Sequence, residues 1–134
     1  MADVVTTQTI QDGQRKAVMK FTNVSDGTGE SAVAKVDVSA LQANAKGEAC
    51  TSVTIQRIYW ACRGMGVDLL FDATTNVLIT GLPADSTGDE YYDNFTGIPN
   101  NAGSGKTGDI LFTTLGHSAG DTYSIILELV KEYG

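Results

Sequence analysis

The chain reads as all-β, an antiparallel β-sandwich of eight or nine short strands, and three observations predict this. Apolar residues recur at every second position in several short runs, the mark of half-buried strands. Turn-forming residues, fifteen glycines against two prolines among them, separate those runs at short intervals. Segments with helical spacing are almost absent. That strand number suits a sandwich, and jelly-roll topology is the arrangement named for it. The 134 residues form one domain, long enough to bury about two-thirds of the unfolded surface without staples.

Residues 4–10 are β-branched and threonine-rich, an N-terminal strand or an arm, ended by the turn Gln11-Asp12-Gly13. Arg15, Ala17, Met19 and Phe21 then alternate with Lys16, Val18, Lys20 and Thr22. A second alternation over residues 32–41 sets Val36 and Val38 inward and Lys35, Asp37 and Ser39 outward. Residues 42–49 are small and polar, a loop or one helical turn. Residues 52–62 are the most hydrophobic stretch, with Val53, Ile55, Tyr59 and Ala61 on one side and Ile58, Trp60 and Cys62 on the other. Apolar groups on both faces predict a strand packed on two sides, or one that meets a partner.

Val67, Leu69 and Phe71 form the apolar set of the next strand, and residues 77–80 another. Residues 81–96 are acidic and irregular, with a strand expected from Tyr91 to Thr96. Residues 110–115 and 122–130 form the best hairpin candidate, joined by turn-type residues 116–121, with Tyr123, Ile125, Leu127 and Leu129 as a strict apolar face.

Sixteen acidic against nine basic residues give a formal charge of −7. Such a surface repels nucleic acid in the absence of a local basic patch, and no such patch is present. No stretch approaches the roughly 18 apolar residues of a membrane span. The N-terminal residues lack the pattern of a secretory signal, so synthesis in a cytoplasm is expected. Cys50 and Cys62 are too few for a disulfide scaffold, and on one extended strand they lie about 40 Å apart at ~3.3 Å per residue.

The run Gly103-Ser104-Gly105-Lys106-Thr107 invites a phosphate-loop reading. The pattern requires a further glycine where Asn100 stands, and a helix where a β-type run follows. Residues 97–108 read instead as a long contact loop, with Asn100, Asn101, Ser104 and Lys106 exposed as candidate partner contacts. Tyr91 and Tyr92 are further candidates, for a protein or carbohydrate surface, whereas Trp60 reads as core. His117, with Ser118 and Asp121 near it in sequence, reads as a turn residue because a triad is assembled in space. Asp85, Asp89, Glu90 and Asp93 lack the spacing of the helix–loop–helix calcium motif and read as a solvated acidic loop. No enzyme, metal or cofactor is expected.

The phrases Val18-Met19-Lys20-Phe21-Thr22-Asn23-Val24-Ser25-Asp26-Gly27, Gly97-Ile98-Pro99-Asn100-Asn101 and Lys106-Thr107-Gly108-Asp109-Ile110-Leu111-Phe112-Thr113 resemble small structural proteins encoded by tailed bacteriophages. Gly120-Asp121-Thr122-Tyr123-Ser124 is similar as well. The likeness covers most of the chain and is thin between residues 42 and 50. It implies a virion component, a head decoration (cement) protein on the capsid exterior. The major capsid protein would be its partner, with self-association as a dimer or trimer, and assembly in the host cytoplasm. It carries no active-site residues. A tail or neck component and a glycan-binding module remain the alternatives.

Overall fold

The computed structural model describes residues 3–92 and 97–133. Among them nine strands form: β1 (Val4–Asp12), β2 (Lys16–Val24), β3 (Val33–Val36), β4 (Cys50–Arg63), β5 (Gly66–Phe71), β6 (Val77–Leu82), β7 (Thr87–Tyr91), β8 (Ile110–Leu115) and β9 (Thr122–Tyr133). A single 3₁₀ turn, Val38–Ala40, follows β3. All pairings are antiparallel, in one sheet of order β1-β2-β9-β4-β7 and a second of order β3-β8-β5-β6. β2 pairs with β9, β3 with β8, β4 with β7 and β5 with β6. That is one long antiparallel ribbon rolled into two sheets. The predicted sandwich is a jelly roll with an extra strand, β1, on its first edge.

The core lies between the sheets and is filled by the inward set of each alternation: Ala17, Met19 and Phe21 on β2, Val67, Leu69 and Phe71 on β5, and Tyr123, Ile125, Leu127 and Leu129 on β9. Phe112 of β8 joins the two layers. Its ring meets Phe21 at 5.1 Å and Tyr123 at 5.8 Å between centroids, both edge-on, the arrangement favoured by the ring quadrupoles.

Both ends of the sandwich are closed by polar groups. At one end the buried ammonium of Lys131 donates to the Asp12 carboxylate and to the carbonyls of Gly13 (2.6 Å) and Gln42 (3.0 Å). Its three protons therefore all have acceptors, the condition under which a buried lysine is tolerated. At the other end Glu30 accepts from Tyr123 (2.6 Å) and Asn23 (2.9 Å) and pairs with Lys35 at 2.5 Å. Burial first, and then the Glu30 carboxylate, push the Tyr123 phenol up.

Four expectations are corrected here. β8 and β9 are not a hairpin: β8 pairs with β3 and β5, β9 with β2 and β4, and residues 116–121 cross between the sheets. That crossing is tied to the β2–β3 loop, with Ser25 N–H donating to Asp121 O and Gly120 N–H to Ser25 O, each at 2.8 Å.

β4 does not group its apolar residues as expected, since Val53 and Ile55 share the core face with Ile58, Trp60 and Cys62, while Tyr59 and Ala61 lie on the outer face. A bulge at Gln56 shifts the register between Ile55 and Arg57, so Val53, Ile55, Ile58 and Cys62 all face the core. Lys35 is buried instead of outward, because a register shift between Ala34 and Val36 releases it toward Glu30. Of the strand expected from Tyr91 to Thr96, Tyr91 is instead the last residue of β7, whose pairing of Tyr91 with Arg57 through Thr87 with Ala61 extends β4's sheet, and Tyr92 lies beyond it. Residues 93–96 lie outside the described residues. The segment 42–49 is a loop, turned by Asn44, whose side-chain oxygen accepts from the N–H groups of Lys46 and Glu48.

Candidate functional site

The loop 97–108 leaves the edge of the first sheet and enters the second at β8. Ile98 exchanges two backbone hydrogen bonds with Ile55, at 3.0 and 2.8 Å, continuing along β4 where β7 has ended. Thr74 N–H then donates to Ser104 O at 3.0 Å, and Thr107 donates its hydroxyl to Asp72 at 2.8 Å. The loop is thus fastened to β4 and to the β5–β6 turn. At Gly108, with φ of +91°, a Cβ would run into the Thr51 carbonyl, so the chain passes here only without a side chain. No helix follows, and the loop delivers the chain straight into β8, which removes the setting a phosphate loop needs.

Asn101, Ser104 and Lys106 are exposed, as their sequence context predicted. Asn100 is half-buried, which corrects its expected exposure. Its Oδ1 accepts the Ala102 N–H at 2.9 Å, an Asx turn, and its Nδ2 is buried with no partner among the described residues. It shapes the loop more than it presents a surface. Lys106 and Thr107 also line a depression of about 600 Å³ with Val38, Ser39, Thr51 and Ser52.

The two tyrosines part company. Tyr91 is 55% exposed on the outer face of the first sheet, with the Arg57 guanidinium 4.8 Å above its ring. Arg57 also grips Asp89 through two bonds of 2.7 and 2.8 Å and Glu128 through one of 2.7 Å. Those bonds raise the guanidinium's proton affinity and hold the Asp89 carboxyl below its usual range. Tyr92 is half-buried and packs against the core, and its N–H donates to the carbonyl of the bulged Gln56 at 2.8 Å. Burial, with Glu90 nearby, pushes its phenol up. Trp60 packs on the core as well, donating Nε1–H to Ser86 Oγ at 3.0 Å.

The other residues singled out in the sequence do not come together. His117 is half-buried, with Nδ1 3.3 Å from Thr114 Oγ1. Asp121 accepts the Ser118 backbone N–H at 2.7 Å, so it braces the turn. Asp85 accepts the Gly64 N–H at 2.8 Å, Asp89 belongs to Arg57, and Asp93 lies outside the described residues. Among the described residues no three His, Cys, Asp or Glu side chains converge. Both cysteines are buried free thiols, and burial pushes the Cys62 thiol up to about 11.

Sequence reasoning did not find the Arg57 cluster. The bulge at Gln56 turns Arg57 to the outer face, and a bulge has no fixed residue signature. No helix among the described residues is long and apolar enough to cross a membrane. Comparison with protein-family models, with curated proteins and with solved structures finds no match for the chain.

Proposed function

We propose that the chain is a bacteriophage capsid decoration (cement) protein that binds the outer surface of the capsid shell and stabilises it. The observation that carries the reading is the loop 97–108: long, fastened at both ends to a packed jelly roll, and projecting Asn101, Ser104 and Lys106. A lattice contact needs such a preorganised polar surface, because ordering a loose loop on binding costs affinity. The resemblance to small virion proteins of tailed phages supports the same role. The formal charge of −7 favours the shell's exterior over contact with packaged DNA. The partner is the major capsid protein, and the chain associates with itself on the lattice, where many weak contacts add up to high avidity.

Purified virions are expected to carry the chain in on the order of hundreds of copies, enough to span a repeating lattice. A count of about a dozen or fewer, the expectation for a tail or neck ring of closed symmetry, would reject this role. Within the role, replacing Asn101, Ser104 and Lys106 together by alanine should leave the melting temperature unchanged and lower occupancy of undecorated shells several-fold. Unchanged occupancy places the contact elsewhere. Asn100 is left out of that set because its side chain holds the loop's own turn.

A further inference from the structure

A two-sheet fold has four edges, and three of these are guarded. β7 is five residues long and carries Asp89 and Glu90. β3 is four residues long and is broken by a register shift beside Lys35. β6 carries an extra residue, Ile79, against β5, contains Gly81, and is followed at once by Pro83. Short length, charge, bulges and proline are the devices by which native sheets discourage pairing with other chains.

β1 has almost none of these. It runs nine residues, all but Asp12 exposed, and residues 4–11 carry no charge and no proline. Its one irregularity, at Ile10, lies near the far end. Val5, Thr7 and Thr9 pair with Asn23, Phe21 and Met19, whose side chains are buried, so they point toward the core side. They stay exposed all the same, so β1 extends past the second sheet. Val4 and Ile10 are 67% and 52% exposed.

We propose that β1 pairs antiparallel with β1 of a second copy about a two-fold axis through Thr7, joining the two five-stranded sheets into one. In that register Val4 faces Ile10 of the second copy, Val5 faces Thr9, Thr6 faces Gln8, and Thr7 faces itself. The most exposed apolar residues of the strand meet each other, and the centre is a Thr–Thr pair, both favourable across strands. This side-chain register selects a second copy as the occupant, and charge does not oppose it. Two chains of formal charge −7 repel over most of their surfaces, yet here Asp3 falls opposite Gln11 and no carboxylate faces another. A register centred on Gln8 would set Val4 against Asp12. The contact is self-complementary, as a two-fold interface must be.

This inference rests on the self-association in the functional reading and gives it a surface, but it is tested without a shell. Light scattering or sedimentation equilibrium on the purified chain should show a monomer–dimer equilibrium at micromolar concentrations. Thr7→Lys sets two ammonium groups opposite each other and should weaken the dimer about tenfold or more. Its melt should stay close to that of wild type when both are fully monomeric, because Thr7 is exposed. Ala45→Lys, the same charge change in an exposed loop, should leave the dimer intact. Thr7→Cys should crosslink to itself under mild oxidation, at a cross-strand separation that disulfide geometry accepts. A wild-type chain that stays monomeric throughout, or a dimer indifferent to Thr7→Lys, overturns the pairing. Capsid binding by such a chain would leave the decoration role standing.

Discussion

Asp109 sits where the loop 97–108 enters β8, and its surroundings work against its charge. Burial raises its pKa, the Val38 N–H donating at 3.0 Å pulls it back in part, and Asp37 and Asp72 raise it again. The folded value therefore lies above the unfolded one. For an acid with that sign the native state binds the proton more tightly. Ionised Asp109 thus subtracts from stability at neutral pH, and the loss is recovered as pH falls through the raised folded value toward the ordinary aspartate value of about 4. Asp109→Asn keeps an oxygen to accept from Val38 and removes the charge. It should raise the melting temperature by a few degrees at pH 7, with the gain shrinking toward zero at or below about pH 4. A gain that is the same at both pH values would mean that charge is not its cause. Lys131 is the opposite case at this scale, a buried charge whose donors are all accepted.

At the scale of the element, β4 shows both what the sequence discloses and what it hides. The alternations of β2, β5 and β9 were legible because each strand keeps one period throughout, and each buries the face its residues predict. β4 changes phase at Gln56, and a period count across a bulge assigns residues on its two sides to opposite faces. The β8–β9 connection misled for another reason. Residues 116–121 have turn chemistry either way, and the choice between a hairpin and a crossing is made by distant partners, β3 and β5 for one strand and β2 and β4 for the other. The candidate loop was legible in the exposure of Asn101, Ser104 and Lys106. Asn100 was not, because an asparagine that closes its own turn and one that meets a partner have the same sequence context. The bulge also gives a sharp test. Deleting Gln56 removes the extra residue and leaves Val53, Ile55, Ile58 and Cys62 on the core face, so the variant should fold, with a lowered melting temperature from loss of the Tyr92 N–H acceptor. Deleting Tyr59, three residues on, turns Trp60 and Cys62 outward and should abolish cooperative melting. Equal behaviour of the two deletions in thermal melts and amide NMR spectra would refute the assigned register.

For the whole molecule, the jelly roll makes the two ends of the chain unequal. β1 is an edge strand with exposed side chains, whereas β9, the last strand, lies in the middle of the first sheet between β2 and β4. The sheet stays incomplete until β9 pairs with β2 and β4, both distant from it in sequence, which makes the critical pairings long-range and the folding slow for the chain's size. Removing residues 1–10 takes away the β1–β2 ladder and the Asp3 carboxylate, which accepts from Asn23 and from the N–H groups of Asp26 and Gly29. It uncovers little apolar surface and leaves the eight-stranded roll, with Asp12 still on Lys131. A loss of about 2–4 kcal/mol for several hydrogen bonds is within the 5–15 kcal/mol available to a domain. Removing the same number of residues from the other end, 125–134, deletes Ile125, Leu127, Leu129 and Lys131, all buried. At about 2–5 kcal/mol for each of the three large apolar side chains, that matches the whole stability of a domain before the lost pairings of β9 with β2 and β4 are counted. The N-terminal truncation should therefore melt cooperatively at a lower temperature and the C-terminal one should show no cooperative transition by circular dichroism. The reverse order of damage would mean that β1, not β9, anchors the first sheet.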